Sequence, residues 1–162
     1  VYFFTHLLAG VLIGLVIYYL TRDWWTIAAA AVGSVIPDLL DKPLGYIVMA
    51  DSLDYGRIYF HTFFFFLAVI AIGVLVYYRK RSWVVIALGA GVLSHQLLDS
   101  MWEEYWNWFW PWFGPFYGYG TEYYFLDRLY AELTDPWEWL FCSIVVIVGV
   151  VLIWLRGSDT KG

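Results

Sequence analysis

Long apolar stretches, broken only by short polar segments, run from Tyr2 to Leu20, Ile58 to Tyr78, Trp83 to about Leu98, and Trp137 to Leu155. Each approaches or meets the ~20 residues a helix needs to cross ~30 Å of hydrocarbon. A fifth stretch, Trp24 to Ile36, stops at Pro37. It covers only about 20 Å at ~1.5 Å per residue, so it either continues through Asp38-Leu39-Leu40-Asp41 or ends submerged. Because backbone in lipid must bond to itself, the pattern predicts five helical crossings in an all-α, multi-pass transmembrane helix bundle. The first stretch has no basic segment ahead of it and meets its first charge at Arg22, so a retained span is expected rather than a cleaved leader.

Between Trp102 and Phe125 the pattern changes. Fourteen of twenty-four residues are aromatic, interrupted by Pro111, Gly114, Pro115, Gly118 and Gly120. This is too broken for a spanning helix and predicts an interfacial cap at headgroup level, where Trp and Tyr rings prefer to sit. Residues Glu122 to Leu133 are expected to form a short amphipathic helix returning to the last span. No internal repeat or linker divides the chain, so residues 1–162 form one membrane domain, with 102–136 as an extracytoplasmic aromatic loop.

Composition agrees with a membrane setting: 62% hydrophobic, 23% aromatic and 14% charged residues are too few polar side chains to clothe a water-soluble globule. Net charge −5 leaves no surplus to hold phosphate backbones, which excludes nucleic acid as a partner. The lipid bilayer is the expected partner, together with membrane proteins if the chain is part of a complex. The single Cys142, in a Val/Ile run, makes neither an internal disulfide nor a thiolate cluster. Arg22, Arg79-Lys80-Arg81, Arg156 and Lys161 fall on one side of the spans, against Lys42, Arg57 and Arg128 on the other. The basic side is expected to be cytoplasmic, which puts the N-terminus outside and the C-terminus inside.

The three histidines, His6, His61 and His95, each lie in a hydrophobic span near one end. Ionisable groups inside a bilayer are costly and point by default to a functional site. Measured from the basic anchors, His6, Asp38, His61, His95 and Asp99 lie about 24, 24, 27, 21 and 27 Å along their helices, close to one level. His6 shares a face with Gly10 and Gly14, small residues that let another helix approach. Ala87, Gly91, His95, Asp99 and Glu103 repeat the pattern on the fourth span, and Ala30, Ser34, Asp38 and Asp41 trace a similar line on the second. The third span, Phe63-Phe64-Phe65-Phe66 onward, is apolar all round and supplies His61 from its outer turn.

Three imidazoles and several carboxylates at one depth suit a divalent ion, zinc or manganese. Asp99 can ligate beside His95 or orient a ligand, and Asp38 and Asp41 can bridge two ions. Each feature also has a plainer reading. A membrane histidine can simply bond a neighbouring helix, Asp38 can cap a turn after Pro37, and Arg57 can anchor a helix end or neutralise a phosphate. Asp51, Asp54, Glu104 and Glu132 read as solvated loop charges.

The segments Thr5-His6-Leu7-Leu8-Ala9-Gly10, Ile36-Pro37-Asp38-Leu39-Leu40-Asp41, Arg57-Ile58-Tyr59-Phe60-His61-Thr62 and Ser94-His95-Gln96-Leu97-Leu98-Asp99 resemble the ordered motifs of a known family. It is that of the membrane-bound metal-dependent hydrolases, the YdjM-like, LexA-binding inner-membrane-associated proteins, and the resemblance covers about residues 5 to 100. It implies a metal-site role for His6, Asp38, His61, His95 and Asp99, with Arg57 in the family's Arg position. The chain departs from the pattern at Gly56, where the family has His, at Phe60 and Thr62, where it has Thr and Ser, and in a Pro-Asp-x-Asp stretched to Pro-Asp-Leu-Leu-Asp.

The combined expectation is a membrane-embedded hydrolase acting on a lipid-borne ester or phosphoester. His6, His61, His95 and Asp99 would hold the ion, with Asp38 as a further ligand or the base. Asp38 or Asp41 would take the proton, and Arg57 and Lys42 would steady negative charge. Two alternatives stand beside it: a non-catalytic integral subunit or scaffold whose polar cluster fixes helix packing, and a haem-binding or proton-relay protein. Three histidines and four carboxylates near one surface favour a divalent ion over haem.

Overall fold

Helix boundaries fall where a polar side chain or a left-handed residue can close the backbone ladder. In the computed structural model, which describes residues 3–118, 130 and 133–159, helix α1 runs Phe3–Thr21. It ends as Thr21 Oγ1 donates to the Ile17 carbonyl at 2.9 Å and Arg22 turns left-handed at φ 65°. Helix α2 is Trp25–Gly33 and α3 is Ile36–Pro43, which runs on into a single π turn, Leu44–Val48. Helix α4, Phe63–Lys80, starts where Thr62 Oγ1 accepts from Phe65 N–H at 3.2 Å and stops at left-handed Arg81. Helix α5 is Val84–Leu98, α6 the short Tyr105–Trp108, and α7 Pro136–Asp159. No strand occurs among the described residues.

Two helices, α1 and α4, are long and apolar enough to cross a membrane. The pair Val84–Leu98 and Met101–Trp108, bent by 77°, adds a third if taken as one span, and α7 carries a shorter apolar segment, Glu138–Val151. The stretch read as Trp24 to Ile36 does not end at Pro37. The chain turns at Ser34 and Val35, and α3 restarts at Ile36 with Pro37 in its first turn, where a missing N–H breaks no helical bond. The third stretch also differs from the expectation. His61 lies outside α4, in a 3₁₀ turn, Tyr59–His61, because the Thr62 cap starts the helix only at Phe63.

Helix α2 packs against both α1 and α5, α4 packs on α5, and α7 on α1. Ala29, Ala30 and Ala87 form a small buried core flanked by Ile13, Ile17, Val84 and Leu88. Polar His6, His61, His95, Asp41, Gln96 and Asn107 are buried, while Leu20, Ile72, Leu75, Ile147, Ile153 and Trp154 point outward. That distribution is the reverse of a water-soluble domain and fits a lipid surround.

Glycine sets the closest helix approach. A Cβ on Gly91 would lie 2.1 Å from the Ala30 carbonyl oxygen and 2.8 Å from Ser34 N, both backbone atoms that cannot swing aside. Gly91→Ala should therefore push α5 off α2 and cost about 1–3 kcal/mol. Gly149→Ala, whose added carbon meets only the Leu15 side chain at 3.3 Å, should be nearly neutral. Thermal unfolding of both variants in detergent checks the contrast.

The aromatic segment folds as a 3₁₀ turn, Met101–Glu104, then α6 and further turns. Asn107 fastens it, donating from Nδ2 to the Tyr117 carbonyl and accepting from Tyr117 N–H, each at 3.0 Å. Trp108 Nε1 donates to Gln96 Oε1 at 2.9 Å, and Gln96 Nε2 donates to the Thr62 carbonyl at 2.9 Å. Tyr59 meets Trp110 and Phe116 edge-on, so the segment lies over the turn that carries His61. The helix expected between Glu122 and Leu133 falls almost wholly outside the described residues, as does Glu132.

Candidate metal centre

Four elements deliver the polar cluster: His6 from α1, Asp38 and Asp41 from α3, His61 from the turn before α4, and His95 and Asp99 from α5 and its end. All six side chains are buried. Asp38, His61, His95 and Asp99 each turn one ligand atom toward a common point, the four atoms lying within 4.8 Å of one another, and this group can hold a metal ion.

The tautomers of the two central histidines follow from their outer nitrogens. His61 Nδ1 faces Asp41 Oδ2 at 2.7 Å, and His95 Nδ1 faces the Ser34 carbonyl oxygen at 2.7 Å. Both oxygens are acceptors, so both Nδ1 atoms carry the proton. The two Nε2 atoms, 3.0 Å apart, then present lone pairs to each other in a buried space. Something positive must lie between or beside them. Asp38 Oδ1 lies 3.5 Å from His61 Nε2 and 3.7 Å from His95 Nε2, and Asp99 Oδ2 lies 3.9 Å from each. A tetrahedral site with bonds of ~2.0–2.1 Å has ligand-to-ligand edges of about 3.3–3.4 Å, close to these separations. One shared proton would satisfy the two nitrogens but leave Asp38 Oδ1, which is buried without a hydrogen-bond partner, unanswered. A divalent ion could answer the two nitrogens and Asp99 Oδ2 directly, and Asp38 Oδ1 either directly or through a water that it holds.

Each donor is oriented by its other atom, as is usual around bound metals. Asp38 Oδ2 accepts from Lys42 Nζ at 2.6 Å, and Asp99 Oδ1 accepts from His6 Nε2 at 3.0 Å. The His6 ring also stacks on that of His95, centroids 4.0 Å apart. His6 therefore meets the cluster through Asp99, and its Nδ1 is buried without a hydrogen-bond partner. Asp41 stands behind His61: its Oδ2 accepts the Ile58, Phe60 and His61 backbone N–H groups at 2.9–3.0 Å as well as the imidazole.

Arg57 lies at the edge, its Nε 3.1 Å from Asp99 Oδ2 and its Nη1 2.6 Å from Glu104 Oε1. The Tyr55 hydroxyl donates to the second oxygen of Glu104. Burial by itself disfavours the Arg57 charge, but the Asp99 and Glu104 carboxylates outweigh it and raise the pKa above the ordinary guanidinium value. Burial and the same Glu104 carboxylate raise that of Tyr55.

Glu104 is thus no solvated loop charge. The bend after α5, at left-handed Ser100, returns the chain toward Arg57, and linear spacing carries no sign of that bend. The bend also removes Glu103 from the face it was expected to share with His95, and Glu103 is exposed. Ser34 was visible on the polar line of the second stretch, but its contribution is a backbone carbonyl, freed where α2 breaks.

No curated protein and no solved structure matches the chain. A family model, that of the YdjM inner membrane protein, matches residues 2–158. The chain belongs to the YdjM inner membrane protein family.

Proposed function

We propose that this chain is a membrane-embedded, metal-dependent hydrolase acting on a lipid-borne ester or phosphoester. The observation that carries the reading is the pair of Nε2 atoms 3.0 Å apart in a buried space with two carboxylate oxygens beside them. A catalytic centre must leave one coordination position open. We therefore assign His61, His95 and Asp99 as the residues that hold the ion, zinc or manganese, and Asp38 the task of taking a proton from the attacking water through Oδ1. When bound, the ion would acidify water and polarise the scissile oxygen.

The surrounding residues hold this arrangement in register. Asp41 fixes the ring of His61, the Ser34 carbonyl that of His95, and His6 the outer oxygen of Asp99. Lys42 keeps Asp38 turned so that Oδ1 faces inward. Arg57 and Lys42, both partly exposed, supply positive charge where an anionic leaving group or phosphate would lie.

We read the apolar helices as five crossings, with α2 and α3 together as one. The site ends of α1, α4 and α7 are their N-terminal ends, and those of α2 and α5 their C-terminal ends. This alternation supports an up-and-down bundle with the basic segments at the far, cytoplasmic side, the N-terminus outside, and the centre near the outer headgroups under the aromatic segment.

The test is metal analysis of detergent-purified protein beside turnover of a short-chain lipid phosphoester. The parent should hold stoichiometric zinc or manganese. Asp38→Asn should keep it while losing about 10²–10⁴-fold in turnover, the range of a removed general base. The 3.0 Å His61–His95 contact also allows a second reading, in which the pair shares a proton within a relay or packing scaffold. A folded, metal-free and inactive parent would support that reading and overturn the first.

A further inference from the structure

Two donors from the segment between α3 and α4 converge on one carboxylate. Arg57 Nη1 approaches Glu104 Oε1 at 2.6 Å, and the Tyr55 hydroxyl takes the other oxygen of the same group. A guanidinium and a hydroxyl aimed at adjacent oxygens form a two-point receptor for an oxyanion. We propose that this receptor is the anion subsite of the enzyme and that Glu104 occupies it as an internal stand-in, to be displaced by the phosphate group of the substrate. The inference rests on the hydrolase reading above and adds to it the chemical class recognised, a phosphate.

Three observations support the exchange. The receptor adjoins the centre, since Arg57 bonds Asp99 through Nε while holding Glu104 through Nη1. It is also reachable from the Arg57 side: the side chains of Arg57 and Glu104 are 31% and 19% exposed, whereas Tyr55, Asp41, His61 and His95 are buried. Charge supplies the third. Asp38, Asp41, Asp99 and Glu104 face Arg57 and Lys42, which leaves the cluster two charges negative, and a divalent ion would bring it only to neutrality. An incoming phosphate therefore meets no net attraction while Glu104 stays in place, and gains it once that carboxylate withdraws. Glu104 is the last residue of a one-turn 3₁₀ segment, so it can leave by side-chain rotation without unwinding a helix.

The experiment measures binding of inorganic phosphate, and separately of dihexanoyl phosphatidic acid, to the detergent-solubilised protein at known metal content. Glu104→Gln should bind phosphate about tenfold or more tightly than the parent, the reverse of what loss of a supporting contact would do. Glu104→Asp, which shortens the reach to Arg57, should move the same way by a smaller factor and serves if the Gln variant does not fold. Adding Arg57→Gln to Glu104→Gln should cancel the gain. A gain confined to phosphatidic acid identifies a lipid headgroup as the source, and an equal gain for both probes identifies phosphate itself. Unchanged or weaker binding in both Glu104 variants, or a gain that survives loss of Arg57, overturns the proposal. Because the readout is binding, it can fail while the parent still holds metal and turns over. A metal-free parent would instead sink the hydrolase reading.

Discussion

His95→Ala should empty the metal centre. The substitution deletes one of two nitrogen donors and also leaves the Ser34 carbonyl without its imidazole partner. It further removes the ring on which His6 stacks. Loss of an orienting partner alone costs about 10–100-fold in metal affinity, so loss of the donor should exceed that range. The measurement is metal per chain after gel filtration, paired with thermal unfolding before and after chelation. The parent should lose stability on chelation, because an ion that binds only the folded chain stabilises it by mass action. The His95→Ala protein should not respond. A variant that keeps its metal would show that the nitrogen pair is not the ligand set.

Asp41→Ala should be the most destabilising single change in the cluster. One oxygen of this buried side chain accepts three backbone N–H groups and the His61 imidazole. Alanine leaves all of them without a partner, each at about 1–3 kcal/mol, and the total should reach roughly 3–5 kcal/mol once the turn relaxes. The effect has a local signature. Amide exchange should accelerate at Ile58, Phe60 and His61 well before it does in α4. Asp41→Asn retains an acceptor oxygen and should fold, with metal affinity lowered by about 10–100-fold through a loosened His61.

That His6, Asp38, His61, His95 and Asp99 meet was legible in the sequence because helical rise is constant. Distance from a basic anchor translates into approximate depth, and the small-residue faces that His6 and His95 share with Gly10 and Gly91 let their helices approach closely. What each does with its second atom was not legible. Lys42 is four residues from Asp38, and that contact follows from helical spacing. The bond from His6 to Asp99 and the four donors on Asp41 depend instead on how separate elements are rotated against each other. Local backbone breaks explain the other misses. The turn at Ser34–Val35, the 3₁₀ turn at Tyr59–His61 and left-handed Ser100 all interrupt stretches that hydropathy reads as continuous. The last of these carries Glu104 into the site. Motif order pointed to the family, and the match over residues 2–158 extends well beyond the segments that carried the resemblance.

The bonds of the cluster close over very unequal separations along the chain. Asp41 meets His61 across 20 residues, Ser34 meets His95 across 61, and His6 meets Asp99 across 93. A nascent chain leaving the ribosome therefore makes these links in sequence, and the first histidine to enter the bilayer is the last to find its partner. Until α5 arrives, His6 lacks both Asp99 and the ring of His95. An ion bound at the centre would therefore report that α5 is in place, with α7 still to follow.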